Sequence, residues 1–225
     1  MAPRHGAALP AERAATPAAT PAATPAAPAG ERQARRESRR AEILAAAAGL
    51  FAERGFHGVS IDDLGAAVGL SGPAIYRHFP GKEAVLSEML VGISQRLLAE
   101  GSRRVIAAPD AAAALDALLR WHIDFALTAP ELISVQDREL ANVPEPARRQ
   151  VRRLQRLYVE EWVTAASELF PGTPQSRLRT AVHAMFGLLN STPHSAVELP
   201  PAATAQLLHA MARAALFAAA GDAGR

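Results

Sequence analysis

Between residues 60 and 82 lie Ser60, Ser71, Tyr76, Arg77, His78 and Lys82, a hydrogen-bond-donating set at short, fixed spacing. Tyr76 and His78 are two apart, so on a short helix they splay to either side, where a hydroxyl and an imidazole suit phosphate oxygens. Ser60 pairs a hydroxyl with the free backbone donors of a helix N-terminus, a ready anion site. Lys82 adds a mobile point charge. Arg77 can grip guanine with two hydrogen bonds, worth roughly 1–3 kcal/mol of discrimination, or bind phosphate instead. Catalytic patterns are missing: there is no HExxH, no glycine-rich phosphate loop, no G-x-S-x-G and no paired-histidine metal spacing. Ser, His and Asp occur, but nothing fixes them into a triad. No catalytic residue, metal ligand or cofactor is therefore assigned.

Two short helices must position these groups. Ser60 and Asp63 form a capping box, so a helix starts at Ile61. Ile61, Leu64 and Val68 share its inner face, and Gly69 ends it where positive φ is needed. Leu70, Ser71 and Gly72 make the turn, and Pro73 suits the first position of a second helix, Pro73 to Phe79. That helix buries Ile75 and Phe79 and turns Ala74, Tyr76, Arg77 and His78 outward. A stubby helix with an apolar back, a small-residue start and a polar front is the shape that enters a DNA major groove.

Ser71-Gly72-Pro73-Ala74-Ile75-Tyr76-Arg77-His78-Phe79-Pro80-Gly81-Lys82-Glu83-Ala84-Val85-Leu86 also resembles the recognition helix and following turn of TetR-family one-component regulators. The upstream Phe51-Ala52-Glu53-Arg54-Gly55-Phe56 and the serine at 60 fit the same pattern, so the likeness covers residues 38 to about 90. The resemblance implies a phosphate clamp of Ser60, Tyr76, His78 and Lys82. It leaves Gly72, Pro73, Ala74 and Arg77 for the bases, with Pro73 and Ala74 able to pack on a thymine methyl. Ser71 belongs to the same surface. A dimer would set two recognition helices about 34–36 Å apart on a palindromic double-stranded operator.

The remaining composition agrees with an all-α chain. Of 225 residues, 49% are hydrophobic and only 5% aromatic, with alanine and leucine dominant, which favours helix packing on helix. No run of 18 apolar residues suggests a membrane span, and no export signal is evident, so the expected place is the cytoplasm, at the nucleoid. Without cysteine there are no disulfides or thiolate metal sites. A net charge of +2 does not by itself argue for nucleic acid. Residues 1–30, with Thr-Pro-Ala-Ala repeats, read as a disordered tail. Arg32, Arg35, Arg36, Arg39 and Arg40 then form a basic arm for phosphate or minor-groove contact. Residues 31–81 are expected to be the three-helix DNA-binding domain, its first helix from Ser38 to Arg54. Residues 82–225 are the ligand-binding and dimerisation domain, a helical bundle opened by a helix from Lys82 to Ile106.

Proline and glycine divide that bundle into further helices. Inward stripes are Leu115, Leu118, Leu119, His122 and Ala126; then Val151, Leu154, Tyr158, Trp162, Ala165 and Leu169; then Leu178, Val182, Met185 and Leu189. Pro201 to Ala220 is apolar nearly all round and needs burial on more than one side. The resemblance pairs the last two long helices with those of a second copy, making a homodimer. His122, Arg138, Tyr158, His183 and Asn190 fall on or near inward stripes. Each alone reads as a satisfied core residue; together they point to an apolar pocket with a few orienting groups. The arginines at 148, 149, 152, 153 and 156 read equally as a solvated face or as phosphate ligands of an acyl-CoA effector, as in the family's regulators of fatty-acid metabolism. The resulting expectation is a ligand-responsive regulator, a repressor by family default, whose effector tilts the helix at Lys82. The alternatives are a ligand-independent DNA-binding or partner-binding protein and, less favoured, an enzyme.

Overall fold

The computed structural model describes residues 29–195 and 199–221, and every described element is helical. In order these are α1 (Ala29–Arg54), α2 (Ile61–Ala67), α3 (Gly72–Ile75), α4 (Lys82–Ala107), α5 (Ala111–Thr128), α6 (Pro130–Glu139), a 3₁₀ turn at Leu140–Asn142, α7 (Glu145–Leu169), α8 (Gln175–Leu189), α9 (Thr192–Ser195) and α10 (Pro201–Gly221). Among the described residues no helix is long and apolar enough to cross a membrane. Of the expected tail at 1–30, residues 1–28 lie outside the described residues, whereas Ala29 and Gly30 are the first residues of α1.

The expected punctuation sets most boundaries. Ser60 caps α2, with its Oγ accepting from Asp63 N at 3.1 Å while Ser60 N donates to Asp63 Oδ2 at 2.8 Å. Asp110 caps α5 through Ala113 N at 2.8 Å. Gly69 follows α2 at φ 67°, the left-handed conformation that L side chains avoid. Two boundaries differ. The first helix begins at Ala29, nine residues before Ser38, because no proline falls between Pro28 and Ser38 and the Ala, Glu, Gln and Arg of this stretch favour helix. The basic arm is thus a helical extension, with residues 30–38 exposed. The second helix of the motif is shorter than Pro73 to Phe79: regular helix stops at Ile75, and His78 N and Phe79 N both bond Ile75 O (2.8 and 2.9 Å) in a tightened turn.

Two hydrophobic cores result. One gathers Ile43, Phe51, Leu64, Ile75, Phe79 and Leu86 from α1 to α4, all buried. The other gathers Leu118, Trp162, Val163, Leu178, Val182 and Met185 from the bundle. The division at residue 82 is not clean, because the first core also takes Val135 from α6, Val143, and Val151 from α7. Helix α6 straddles both, with Ile133 in one core and Val135 in the other.

Candidate DNA interface and bundle cavity

Helix α3 is seated by its back. Ile75 and Phe79 are fully buried, and Arg40 reaches from α1 to hold the same place. Its guanidinium donates to His78 O and to Glu88, and lies 4.3 Å from the centre of the Phe79 ring. Nothing in sequence spacing announces this clamp, since its partners lie 38 to 48 residues away. Gly65 permits the tight turn: a Cβ there would stand 2.7 Å from Leu70 O and 3.0 Å from Gly72 N.

Ser60, Ser71, Pro73, Tyr76 and Arg77 lie exposed around this unit, and Tyr76 is 57% exposed despite its size. His78 is half-buried, and its Nδ1 is buried with no hydrogen-bond partner. Burial, and then the nearby charges of Arg36, Arg40, Arg77 and Arg39, lower its pKa and keep the imidazole neutral at pH 7. Four guanidinium groups around one imidazole mark this face as locally cationic, which the small net charge of the chain conceals.

Three expected contacts are placed otherwise. Ala74 is buried at 6% exposure, not outward, because it sits beside Ile75 on the packed side of a helix only one turn long. Gly72 is likewise buried, closely packed against Asp62. Lys82 is not a mobile charge: its Nζ donates to Phe56 O and Val59 O, each at 2.9 Å, and lies 4.5 Å from the Phe56 ring centre. It fastens the loop before α2 to the start of α4. Arg39 is part-engaged, with Glu42 Oε2 at 2.6 Å and Val68 O at 3.4 Å.

In the bundle, four of the five expected polar residues meet. His122, Tyr158, His183 and Asn190 border one cavity of about 210 Å³ between α4, α5, α6, α7 and α8. Ser94, Gln136, Gln155 and Phe186 complete its polar and aromatic lining. Sequence spacing could not find the two glutamines, because α6 and α7 present them only after packing. Gly101 lets α4 approach α7 here, since a Cβ would meet the Tyr158 ring at 2.6 Å. Two larger hollows, about 590 Å³ beside Pro80 and about 680 Å³ between α5 and α10, have no fully buried polar side chain in their walls.

Arg138 is not at the cavity. From α6 it reaches the other way and donates to Phe51 O at 3.1 Å and to Ala52 O, carbonyls left open at the end of α1. The neighbouring Glu139, buried, accepts from Asn142 Nδ2 at 2.8 Å, and Asn142 Oδ1 meets His57 Nε2 at 3.1 Å. Helix α6 therefore carries a cavity residue, Gln136, and an α1 anchor, Arg138, two positions apart.

His122 is fully buried among rings, with centroids of Phe186, Phe125, Tyr158 and Trp162 at 4.9, 5.8, 5.9 and 6.3 Å. Its Nε2 is 3.0 Å from Asn190 Oδ1 and its Nδ1 is 3.4 Å from the Tyr158 hydroxyl. Burial, opposed only by the Asn190 bond, depresses its pKa to about 4. The same burial raises the Tyr158 phenol above its usual value. Both groups are neutral at pH 7.

Residues 43–89, the segment holding α2, α3 and the clamp around them, match the family model described as "Bacterial regulatory proteins, tetR family". The HTH-type transcriptional repressor KstR2 of Rhodococcus jostii (strain RHA1) is 28% identical over 138 residues, 61% of this chain and 64% of the repressor, so the chain spans a little under two thirds of that relative. A TetR-family transcriptional regulator from Bordetella parapertussis 12822 superposes with a TM-score of 0.71 at 23% identity, covering 78% of this chain and 94% of that one. AibR in complex with isovaleryl coenzyme A and operator DNA gives 0.63 at 20% identity, covering 77% and 97%. At these identities the structural likeness is one of fold, and the relatives matched in sequence are transcriptional regulators rather than enzymes. Residues 43–89 therefore carry the signature of the tetR family, folded around α3 and set on an all-helical bundle of the fold that TetR-family regulators share.

Proposed function

We propose that this chain is a ligand-responsive transcriptional repressor, acting in the cytoplasm at the nucleoid. It binds a palindromic operator as a homodimer and is released by a small hydrophobic effector held in the bundle. The observation that carries this is the exposed Pro73, Tyr76 and Arg77 face on a helix locked from behind by Ile75, Phe79 and Arg40. Tyr76 contacts phosphate, with Arg39 and the basic start of α1 following the backbone outward; Ser60, whose hydroxyl and backbone N–H both donate to Asp63 Oδ2, joins them only by releasing that carboxylate. His78, half-buried, joins them through the ring edge away from its buried Nδ1. Arg77 reads a base or adds a phosphate contact; Ser71, Gly72, Pro73 and Ala74 bring the backbone close enough for either. Lys82 supports this surface from within.

The second copy packs on α8 and α10. Leu207, Met211 and Phe217 of α10 are between 43% and 49% exposed, an apolar face that suits burial against an equivalent helix. Residues 31–81 form the reading unit and 82–225 the sensing and dimerising unit, with α4 and α6 both crossing between them. A hollow bordered by unpaired amides favours a sensing role over a ligand-independent one.

An acyl-CoA is the second reading of the effector. Arg152 and Arg156 are exposed on α7 within about 100° of Gln155 around the helix, placed to meet the phosphates of a coenzyme whose acyl end enters the hollow. A mobility-shift titration with the DNA upstream of the chain's own gene tests the whole proposal. The expected result is a sequence-selective complex that weakens steeply with salt and a protected palindrome with half-sites about 34–36 Å apart. A complex indifferent to sequence and salt would sink it.

A further inference from the structure

We infer that the bundle cavity takes a compact, uncharged molecule, smaller than a drug-sized ligand and bearing a carbonyl or hydroxyl, and that it rejects anions. The inference rests on the effector reading of this hollow and adds the chemical class of what enters it. Size is the first constraint. At about 210 Å³ the space lies below the range of about 300–1,000 Å³ that holds drug-sized ligands.

Charge is the second constraint. No Asp, Glu, Lys or Arg lines the cavity. Of its two histidines, His183 is exposed to solvent, and His122, buried, stays neutral because burial holds its proton affinity far below the ordinary value. A carboxylate or phosphate would therefore lose its water without gaining a cation, a costly transfer. The hydrogen-bond pattern is the third. Asn190 Oδ1 can only accept, so His122 Nε2 carries the ring proton and Nδ1 accepts from Tyr158 O–H. This relay consumes the His122 donor, the Asn190 acceptor and the Tyr158 proton. What remains facing a guest is the Asn190 amide N–H pair, the Tyr158 oxygen lone pairs, and the Gln136 and Gln155 amides, for which no partner occurs among the described residues. A carbonyl satisfies the Asn190 donor, and an amide or hydroxyl proton finds the Tyr158 oxygen. The Phe186 ring, with Leu97 and Val159, offers an apolar wall for a flat or branched body.

The test uses the full chain and a pair of probes matched in size: benzamide, neutral, and benzoate, its anionic counterpart, with isovaleryl coenzyme A as a large anion. Binding is read directly by saturation-transfer NMR and titration at pH 7.5, and DNA release is read separately. Benzamide should bind at least tenfold more tightly than benzoate, and isovaleryl coenzyme A should not displace it. Gln155→Arg, a change at a half-exposed position, should reverse the order in favour of benzoate, and Phe186→Trp should abolish binding by filling the space. Benzoate or isovaleryl coenzyme A binding as well as benzamide, or no benzamide binding at all, overturns the inference. Benzamide binding that leaves the DNA complex intact leaves the ligand class standing and counts against the effector reading.

Discussion

Acidification should unfold this protein through His122. The ring is buried and its pKa is lowered to about 4, whereas an unfolded histidine titrates near an ordinary value of about 6.5. Above that ordinary value both states are neutral and nothing is lost. As pH falls below it, the unfolded chain takes a proton that the native ring refuses, so stability declines by about 1.4 kcal/mol per unit until the native pKa is reached. Worked to pH 5, the loss from this group is about 2 kcal/mol. The depressed carboxylates, Asp63, Glu100, Asp116, Glu145 and Glu160, lose their contribution only at lower pH, as they protonate. Asp137, raised by burial, acts with the opposite sign. His78, also lowered, shares the window, so a control is needed. Urea unfolding at one protein concentration, followed by tryptophan fluorescence at pH 7.5 and 5.0, supplies it when run on wild type and His122→Phe. Phenylalanine fits the surrounding rings but cannot titrate. The wild type should lose about 2 kcal/mol more than the variant over this interval. Equal losses would show that His122 is not held neutral by the native fold, and the charge argument for the cavity would fall with it.

Other perturbations separate support from recognition. Lys82→Ala should destabilise the N-terminal unit by about 1–3 kcal/mol, because two carbonyls lose a charged donor; a variant of unchanged stability with weakened DNA binding would return Lys82 to the phosphates. Arg138→Ala should weaken the hold of α6 on α1 and blunt DNA release by ligand while leaving cavity affinity unchanged, read by titration with and without operator. Gly65→Ala should abolish DNA binding while the bundle still melts cooperatively, since the added methyl meets backbone that cannot yield; intact operator affinity would refute that geometry. Arg77→Ala should relax base preference at one operator position, worth about 1–3 kcal/mol, if it grips guanine. A loss uniform across sequences would assign it to phosphate.

Much of this architecture was legible along the chain, because helices are local. Capping at Ser60, the left-handed Gly69 and the apolar stripes of α5 and α8 depend on residues within a few positions of one another, and each lies where its spacing predicts. So did the buried pair Ile75 and Phe79, which announced a helix with one free face. Packing between distant segments decided the rest. Only the fold turned Ala74 inward, tied Lys82 to two carbonyls, drew Arg138 away from the cavity to the end of α1, and closed Arg40 over Phe79. Long polar side chains have reach in many directions, and their partners are set by which backbone ends the tertiary structure leaves unpaired. The cavity follows the same rule: sequence offered His122, Tyr158, His183 and Asn190, but their meeting, the hydrogen-bond order among three of them and the lack of any charge in the wall exist only once five helices converge.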